Sequence, residues 1–319
     1  MHILIIGGGG MIGQKLARAL IARGELDGQE IARMTLADIA APSPIEAPFE
    51  VVCSTCDISD RAAVDGLISA DVDVIYLLAA VVSAHAEEDF DFGYRINMYG
   101  TINVLEAVRA LGTRPKLVFT SSIAVFGGEV PQPYGDNTAL NPQISYGAQK
   151  LIGEILLEDY SRKGFVDGRG FRLPTISVRP GAPNRAASGF MSSIFREPLQ
   201  GHTANCPVDR DFPHFYLSPR QCVANLITAA EIDGAAFGKR RCMTMPGRVW
   251  TIGQMIDAMT AVAGPEPATL ITWNPQPEIQ GILDGWRLDI RPEKAASLGM
   301  KADASFEDNI RYFLEDDLP

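Results

Sequence analysis

Tyr146 and Lys150 stand four residues apart in SYGAQK. On a helix that spacing puts a phenol and an ammonium on one face. A neighbouring positive charge favours tyrosinate, and each unit of pKa lowering corresponds to about 1.4 kcal/mol. A tyrosine brought down toward neutrality serves as a general base toward an alcohol. Ser122 follows the apolar run KLVFT. Its hydroxyl at the carboxyl edge of a sheet could hold the reacting oxygen and stabilise its charge. A bare Y-x-x-x-K is common on solvated helices, so its weight depends on what accompanies it.

What accompanies it is a phosphate cradle. Gly7, Gly10 and Gly13 form G-x-x-G-x-x-G directly after the apolar run HILII. The first glycine permits a tight turn, the second a close approach of backbone to a pyrophosphate, the third close packing of helix on strand. The helix that follows offers free amides and the positive end of its dipole. Asp38 closes a second strand 25 residues after Gly13, where a carboxylate can accept hydrogen bonds from ribose hydroxyls. It would repel a 2′-phosphate, and DIAAPSP brings no Arg or Lys beside it. The expected cofactor is therefore NAD, not NADP.

The elements must place these groups together. HILII reads as a strand buried on both faces. Further strands are expected at 34–38, 50–53, 73–79, 116–120 and 174–178. Helices are expected at 59–69, 93–111 and 145–163, from apolar residues at helical spacing. This alternation predicts an α/β fold with a doubly wound parallel sheet of the Rossmann type. After Arg179-Pro180-Gly181 the periodicity fades, and residues 182–220 read as a stretch lying over a site. A helix returns at 219–232, a strand near 241–245, a helix at 251–263, and a last helix near 305–315. The expected division is an NAD-binding domain over 1–180 and a smaller, mainly substrate-binding region over 181–319, with some segments returning to the first.

Composition narrows the partners. The 319 residues carry a net charge of −11, which argues against nucleic acid or an anionic membrane surface. No apolar stretch has the length of a membrane span, and the N-terminus does not read as a signal peptide, so a cytoplasmic protein is expected. Cys53 and Cys56 form a single C-x-x-C at a strand end, read as two small half-buried residues. The four histidines show no metal-ligand spacing, so no metal is expected.

Taken together, the motifs resemble those of the extended short-chain dehydrogenases/reductases, over the whole chain. IGGGGMIG is similar to that family's glycine motif, LLAAVVS to its loop after the fourth strand, NMYGTINVLEA to its long helix, and SSIAVFG to its S-S-x-x-V-Y-G with Phe126 in place of tyrosine. The family's usual tyrosine-glycine-proline ending after the sixth strand is missing from RPGAPN. The resemblance implies a catalytic set of Ser122, Tyr146 and Lys150, with Asn97 in support. Tyr146 would take the hydroxyl proton while the carbinol hydride passes to NAD. It further implies cofactor contacts from Gly7, Gly10, Met11, Ile12, Gly13 and Asp38, adenine contacts from Asp57 and Ile58, contacts from Leu78, Ala79 and Ala80, and a ribose hydrogen bond from Lys150.

Longer stretches, among them SYGAQKLIGEILLEDYSRKGFVDGRGFRLPTISVRPGAPN, are similar to a branch of the family that oxidises a small sugar acid. Such a substrate needs a cation for its carboxylate. Arg179 is the first candidate, since a guanidinium grips a carboxylate bidentately. Arg185, Arg196 and Arg210 are rivals, and an ion pair is the structural alternative for Arg179. Ser83, Ser122, Ile123, Tyr146, Thr175, Asn184 and Ser188 are expected to line the substrate, with His85 and His214 as further possibilities. A sugar-nucleotide epimerase shares fold and triad, but few basic residues lie in 182–220 to meet two phosphates. An NAD-sensing protein without catalysis would not need both Tyr146 and Lys150. By analogy with related enzymes a homodimer is expected through helices 93–111 and 145–163, whose Ile96, Ile102, Leu105, Val108, Leu151, Ile152, Ile155 and Leu156 form broad apolar faces, the alternative being that these residues pack on the sheet as core.

Overall fold

The structure, a computed structural model, describes residues 1–181, 187–275, 285 and 288–318. Ten strands matter for the site: β1 (His2–Ile6), β2 (Arg33–Asp38), β3 (Glu50–Thr55), β4 (Val74–Leu77), β5 (Lys116–Ser122), β6 (Asp167–Leu173), β7 (Thr175–Ile176), β8 (Pro213–Leu217), β9 (Cys242–Thr244) and β10 (Arg248–Thr251). Seven form one parallel sheet in the order β9-β6-β5-β4-β1-β2-β3. Strand order reverses between β1 and β4, the switch point at which such sheets bind ligands.

Period-two alternation sends Ile3 and Ile5 to one core and Leu4 and Ile6 to the other. The first core holds Leu16 and Leu20 of α1 (Met11–Arg23) and Leu226 of α7 (Pro219–Glu231). The second holds Val104 and Val108 of α4 (Thr101–Leu111), Leu157 of α5 (Ser145–Arg162) and Val64 of α2 (Arg61–Leu67). Each aliphatic side chain so buried contributes roughly 1.5–3 kcal/mol. Between α2 and α4 lies the short α3 (Ser83–Glu88). A smaller sheet, β10-β8-β7, packs with α6 (Phe190–Arg196), α8 (Ile252–Ala263) and α9 (Phe306–Asp316) around a third core.

Three expectations are corrected. The sixth strand is Asp167–Leu173, not 174–178. DGRGFRL holds two glycines, and both serve close packing. A Cβ on Gly168 would lie 2.4 Å from Ser161 Oγ, and one on Gly170 2.4 Å from Cys242 Sγ. Pro174 then ends the ladder, and Thr175–Ile176 joins the small sheet instead. The helix expected over 93–111 is broken, with a π-helical turn over Tyr94–Gly100 before α4 begins. The stretch 182–220 contains both α6 and β8, whose Met191, Ile194, Phe195, Phe215 and Tyr216 are core residues. The final helix and those at 145 and 252 lie within a residue or two of expectation. No helix among the described residues is long and apolar enough to cross a membrane.

Candidate active site

The turn after β1 is built around glycine. Gly7 has φ +95°, and a Cβ there would meet the Ala79 amide at 2.6 Å. A Cβ on Gly13 would stand 2.2 Å from the Gly7 carbonyl. These two glycines let α1 begin directly against the ends of β1 and β4. No side chain caps the first turn of α1 and no acidic residue occupies it, so its amides and dipole remain available to an anion. Asp38, at the end of β2, accepts the Gly9 amide at 2.9 Å and the Ile39 amide at 2.8 Å. Ile39 beside it is 65% exposed. An uncapped helix start, a carboxylate at the tip of the next strand and an apolar neighbour suit a dinucleotide with free ribose hydroxyls.

Gly7, Gly10, Met11, Ile12, Gly13, Leu78 and Ala80 line one end of a cavity of about 840 Å³, and Ser122, Tyr146 and Lys150 line its middle. Ser83, Ile123, Thr175, Arg179 and Ser188 line the rest, so all the described residues expected at the substrate meet here. Asn184, and Arg185 with it, lies outside the described residues. Ala79 backs onto Gly7 and does not reach the cavity wall. Asp57 and Ile58 do not line it either. The Asp57 carboxylate accepts from Ser59 N and Oγ, and Ile58 packs under Gly100.

Helix α5 brings Tyr146 and Lys150 against the end of β5. Gly147 permits the approach, since a Cβ there would fall 2.1 Å from the Ala124 carbonyl. The Ser122 hydroxyl is hydrogen-bonded to the Tyr146 phenol and accepts the Ala124 amide at 3.1 Å. Lys150 Nζ donates to the Thr120 carbonyl at 2.9 Å and lies 5.8 Å from the Tyr146 ring centroid. Burial pushes the phenol up to about 12, with the Ser122 hydrogen bond pulling the other way. Burial also pushes Lys150 down to about 8, and Glu154 opposes that fall. The chain's own groups thus do not bring Tyr146 toward neutrality as expected of the pair, because burial outweighs the Ser122 hydrogen bond.

Asn97 sits in the π-helical turn and is buried. Its Oδ1 accepts the Val81 amide at 2.8 Å, and its Nδ2 donates to the Val81 carbonyl and to Gln149 Oε1 at 2.7 Å. It clamps the loop after β4 to α5 without lining the cavity. Arg179 does line it. Its Nη2 donates to the Ser188 carbonyl at 3.0 Å, and among the described residues it forms no ion pair. Burial, with Arg196 close by, lowers it to about 10. Arg196 is tied to Glu197 and Arg210 to Asp257, so the two described rivals are engaged. His214 joins the wall with Nε2 2.8 Å from Thr175 Oγ1. His85 packs at a tilt against Phe92 and does not line the cavity. The segment Phe126–Gly128 with Gln132 and Tyr134 forms a wall the motifs did not announce. Phe126 stacks on Tyr134 at 5.0 Å, an aromatic pair recognisable only once the fold is known.

Comparison with known proteins agrees with this arrangement. The family described as NAD dependent epimerase/dehydratase matches residues 3–212. The chain is 49% identical to the D-erythronate dehydrogenase of Cupriavidus necator over 99% of its own length and 98% of that protein. It is 40% identical to the D-erythronate dehydrogenase of Haemophilus influenzae, with 100% of both chains covered. A crystal structure described as the nucleoside-diphosphate-sugar epimerase from Agrobacterium tumefaciens superposes with a TM-score of 0.96 at 45% identity, covering 100% of this chain and 94% of that one. With the glycine turn, Asp38 and the Ser122–Tyr146–Lys150 group in place, the chain belongs to the NAD dependent epimerase/dehydratase family and is an NAD-dependent enzyme.

Proposed function

We propose that the protein oxidises a hydroxyl of a small sugar acid, D-erythronate, to give the 2-keto acid, 2-dehydro-erythronate, with NAD as the oxidant. The observation that carries this reading is Arg179. It is a half-buried guanidinium opening onto the same cavity as Ser122 and Tyr146, with no ion pair among the described residues. A cation so placed is left to meet an anion from solution, and a carboxylate fits its fork. The two full-length relatives named D-erythronate dehydrogenase supply the substrate.

The amides at the start of α1 and the glycine turn hold the pyrophosphate, Asp38 the adenosine ribose, and Lys150 the second ribose. Asp57 and Ile58 stay assigned to the adenine side, joined by Ile39. The chemistry that NAD would supply when bound is acceptance of the hydride leaving the carbinol carbon. Ser122 holds the substrate oxygen through its hydroxyl. Tyr146 takes the hydroxyl proton on its phenolate oxygen, and the Lys150 ammonium stabilises that phenolate. Asn97 keeps the loop after β4 in place. Thr175, Ser83, Ser188 and His214 face the hydroxyl chain, Asn184 stays assigned to it, and Arg179 fixes the carboxylate. Residues 1–180 with β9 form the NAD-binding unit, and most of 181–319 the substrate side. The molecule works as a cytoplasmic homodimer through α4 and α5.

The name of the Agrobacterium structure favours a second reading, a sugar-nucleotide epimerase. Among the described residues, Lys150 and Arg179 are the only Lys or Arg lining the cavity, which is thin for a diphosphate. NADH absorbance with four- to six-carbon aldonic acids, against UDP-sugars, separates the two. NADH formed from erythronate supports the proposal; isomerised sugar nucleotide without net NADH overturns it. Tyr146→Phe is expected to bind NAD and lose nearly all turnover.

A further inference from the structure

Three consecutive residues at the end of β5 are each tied to a different turn of α5. Ser122 is bonded to Tyr146, the Thr120 carbonyl accepts Lys150 Nζ at 2.9 Å, and Ser121 Oγ donates to Glu154 Oε1 at 2.5 Å. Tyr146, Lys150 and Glu154 are spaced by four, so they share one helix face. Glu154 is 2% exposed, and its carboxylate also accepts Arg172 Nε at 3.0 and 3.1 Å and Nη2 at 2.7 Å. Arg172 on β6 stands opposite Ser121 in the strand register. The third tie therefore spans α5, β5 and β6 at once.

A buried ion pair is a poor stabiliser, because desolvating both ends offsets most of their attraction. Apolar residues of similar volume would serve packing as well. What the pair adds is direction: both oxygens of Glu154 are engaged by fixed partners, so a slide or roll of α5 breaks charged hydrogen bonds. We infer that Glu154, held by Ser121 and Arg172, is a positioning residue that sets the register of α5 on β5 and so places Tyr146 and Lys150 against Ser122. This rests on the assignment of Tyr146 and Lys150 to the reaction.

The charge has its own consequence. Tyr146 and Glu154 share the helix of Lys150, Arg172 on β6 and the buried Cys242 thiol on β9 contact Glu154, and Glu87 accepts the Ser145 amide at the N-terminus of α5. Thr120 and Phe119 on β5 and the Asn97–Gln149 pair are uncharged. Glu154 is the charge that supports the Lys150 ammonium against burial. Removing that charge while Arg172 remains lowers the pH at which the ammonium is lost.

The test is Glu154→Gln, which keeps the shape and removes the charge, compared with Glu154→Asp, which keeps the charge. For Glu154→Gln, kcat should fall roughly ten- to a hundred-fold, the scale of a misplacement of about 1 Å. KM for the sugar acid and the Kd for NAD should change little, and the alkaline decline of kcat should begin at lower pH. Glu154→Asp should return that decline to its wild-type pH. Wild-type kcat and pH profile in Glu154→Gln overturn the inference. So does a loss of kcat that follows NAD affinity and melting temperature while the pH profile stays put. Should Glu154→Gln fail to fold, Ser121→Ala removes one strut and leaves the ion pair. A fall in kcat of roughly three- to ten-fold at unchanged NAD affinity then supports the inference, and unchanged kcat overturns it. Tyr146→Phe run alongside keeps the two assignments apart: full turnover there overturns the chemistry, whatever Glu154 does.

Discussion

Asp38 Oδ2 accepts the amide of Gly9 at 2.9 Å, so the carboxylate that ends β2 is locked to the turn that follows β1. Its other oxygen holds Ile39 N at 2.8 Å. The carboxylate is thereby aimed before any ribose arrives, and a 2′-phosphate would meet a fixed negative charge. Asp38→Ala should raise KM for NAD by roughly ten- to a hundred-fold, the loss of one charge-assisted hydrogen bond of about 1.5–3 kcal/mol. KM for NADP should stay level or fall. Steady-state kinetics with both nucleotides check this, and an unchanged ratio would refute the assignment of Asp38.

Arg179 is the expected carboxylate partner. Arg179→Ala should raise KM for the sugar acid at least about ten-fold, by the same measure for a charged hydrogen bond. Arg179→Lys should rescue only in part, because an ammonium cannot reproduce the guanidinium fork. NAD affinity should be unaffected in both. A substrate KM within error of wild type in Arg179→Ala would move the role to another residue.

Lys150 carries a penalty in the folded state. Burial lowers it from 10.5 to about 8, so between those values the unfolded chain binds a proton that the folded chain does not. Stability therefore rises with pH across that window, and below pH 8 the penalty is fully present. At about 1.4 kcal/mol per unit it is of order 3 kcal/mol. Lys150→Met removes it along with the hydrogen bond to Thr120. The urea midpoint of Lys150→Met relative to wild type should be most favourable near neutrality and decline steadily above pH 8. A difference that does not vary with pH would show that the lysine is not perturbed.

The outward side of α4 and α5 bears on assembly. Leu105 and Val108, expected at an interface, are instead core residues of the sheet. Ile155 is 60% exposed and Tyr99 55% exposed, on adjoining helical segments. On the proposed homodimer through α4 and α5, Ile155→Arg should shift the protein to monomer in sedimentation velocity while leaving melting temperature nearly unchanged. A wild-type protein that sediments only as monomer would remove the dimer.

The parts legible in the sequence are those in which one residue type answers one local demand. HILII is apolar because β1 is covered on both faces, and the glycines after it are forced by the approach of Ala79 and of α1. Tyr146 and Lys150 were readable because four residues make a helical turn. The parts that were not legible depend on neighbours far along the chain. The strand that holds Gly168 and Gly170 becomes intelligible only when Ser161 and Cys242 are seen pressing on them. Asn97 was expected in support of catalysis, but its grip on Val81 and Gln149 needs the π-helical turn, for which no single residue is a signal. His214 was one histidine among four until β8 set it beside Thr175. The perturbed Lys150 and Tyr146 likewise follow from burial, which spacing alone does not report.

The parallel sheet is closed at one edge by β9, which pairs with β6 although Cys242 follows Leu173 by some 70 residues, or several seconds of synthesis at about 5–20 residues per second. During that interval the nascent NAD-binding unit exposes β6 as an unpaired border of hydrogen-bonding groups. An uncovered strand of this kind is a template for pairing with another chain. The ribosome-bound protein is thus most prone to misassociate after its cofactor turn has formed and before its last sheet strand has emerged. A stop codon placed between Leu173 and Cys242 should consequently yield aggregates rather than a soluble nucleotide-binding fragment.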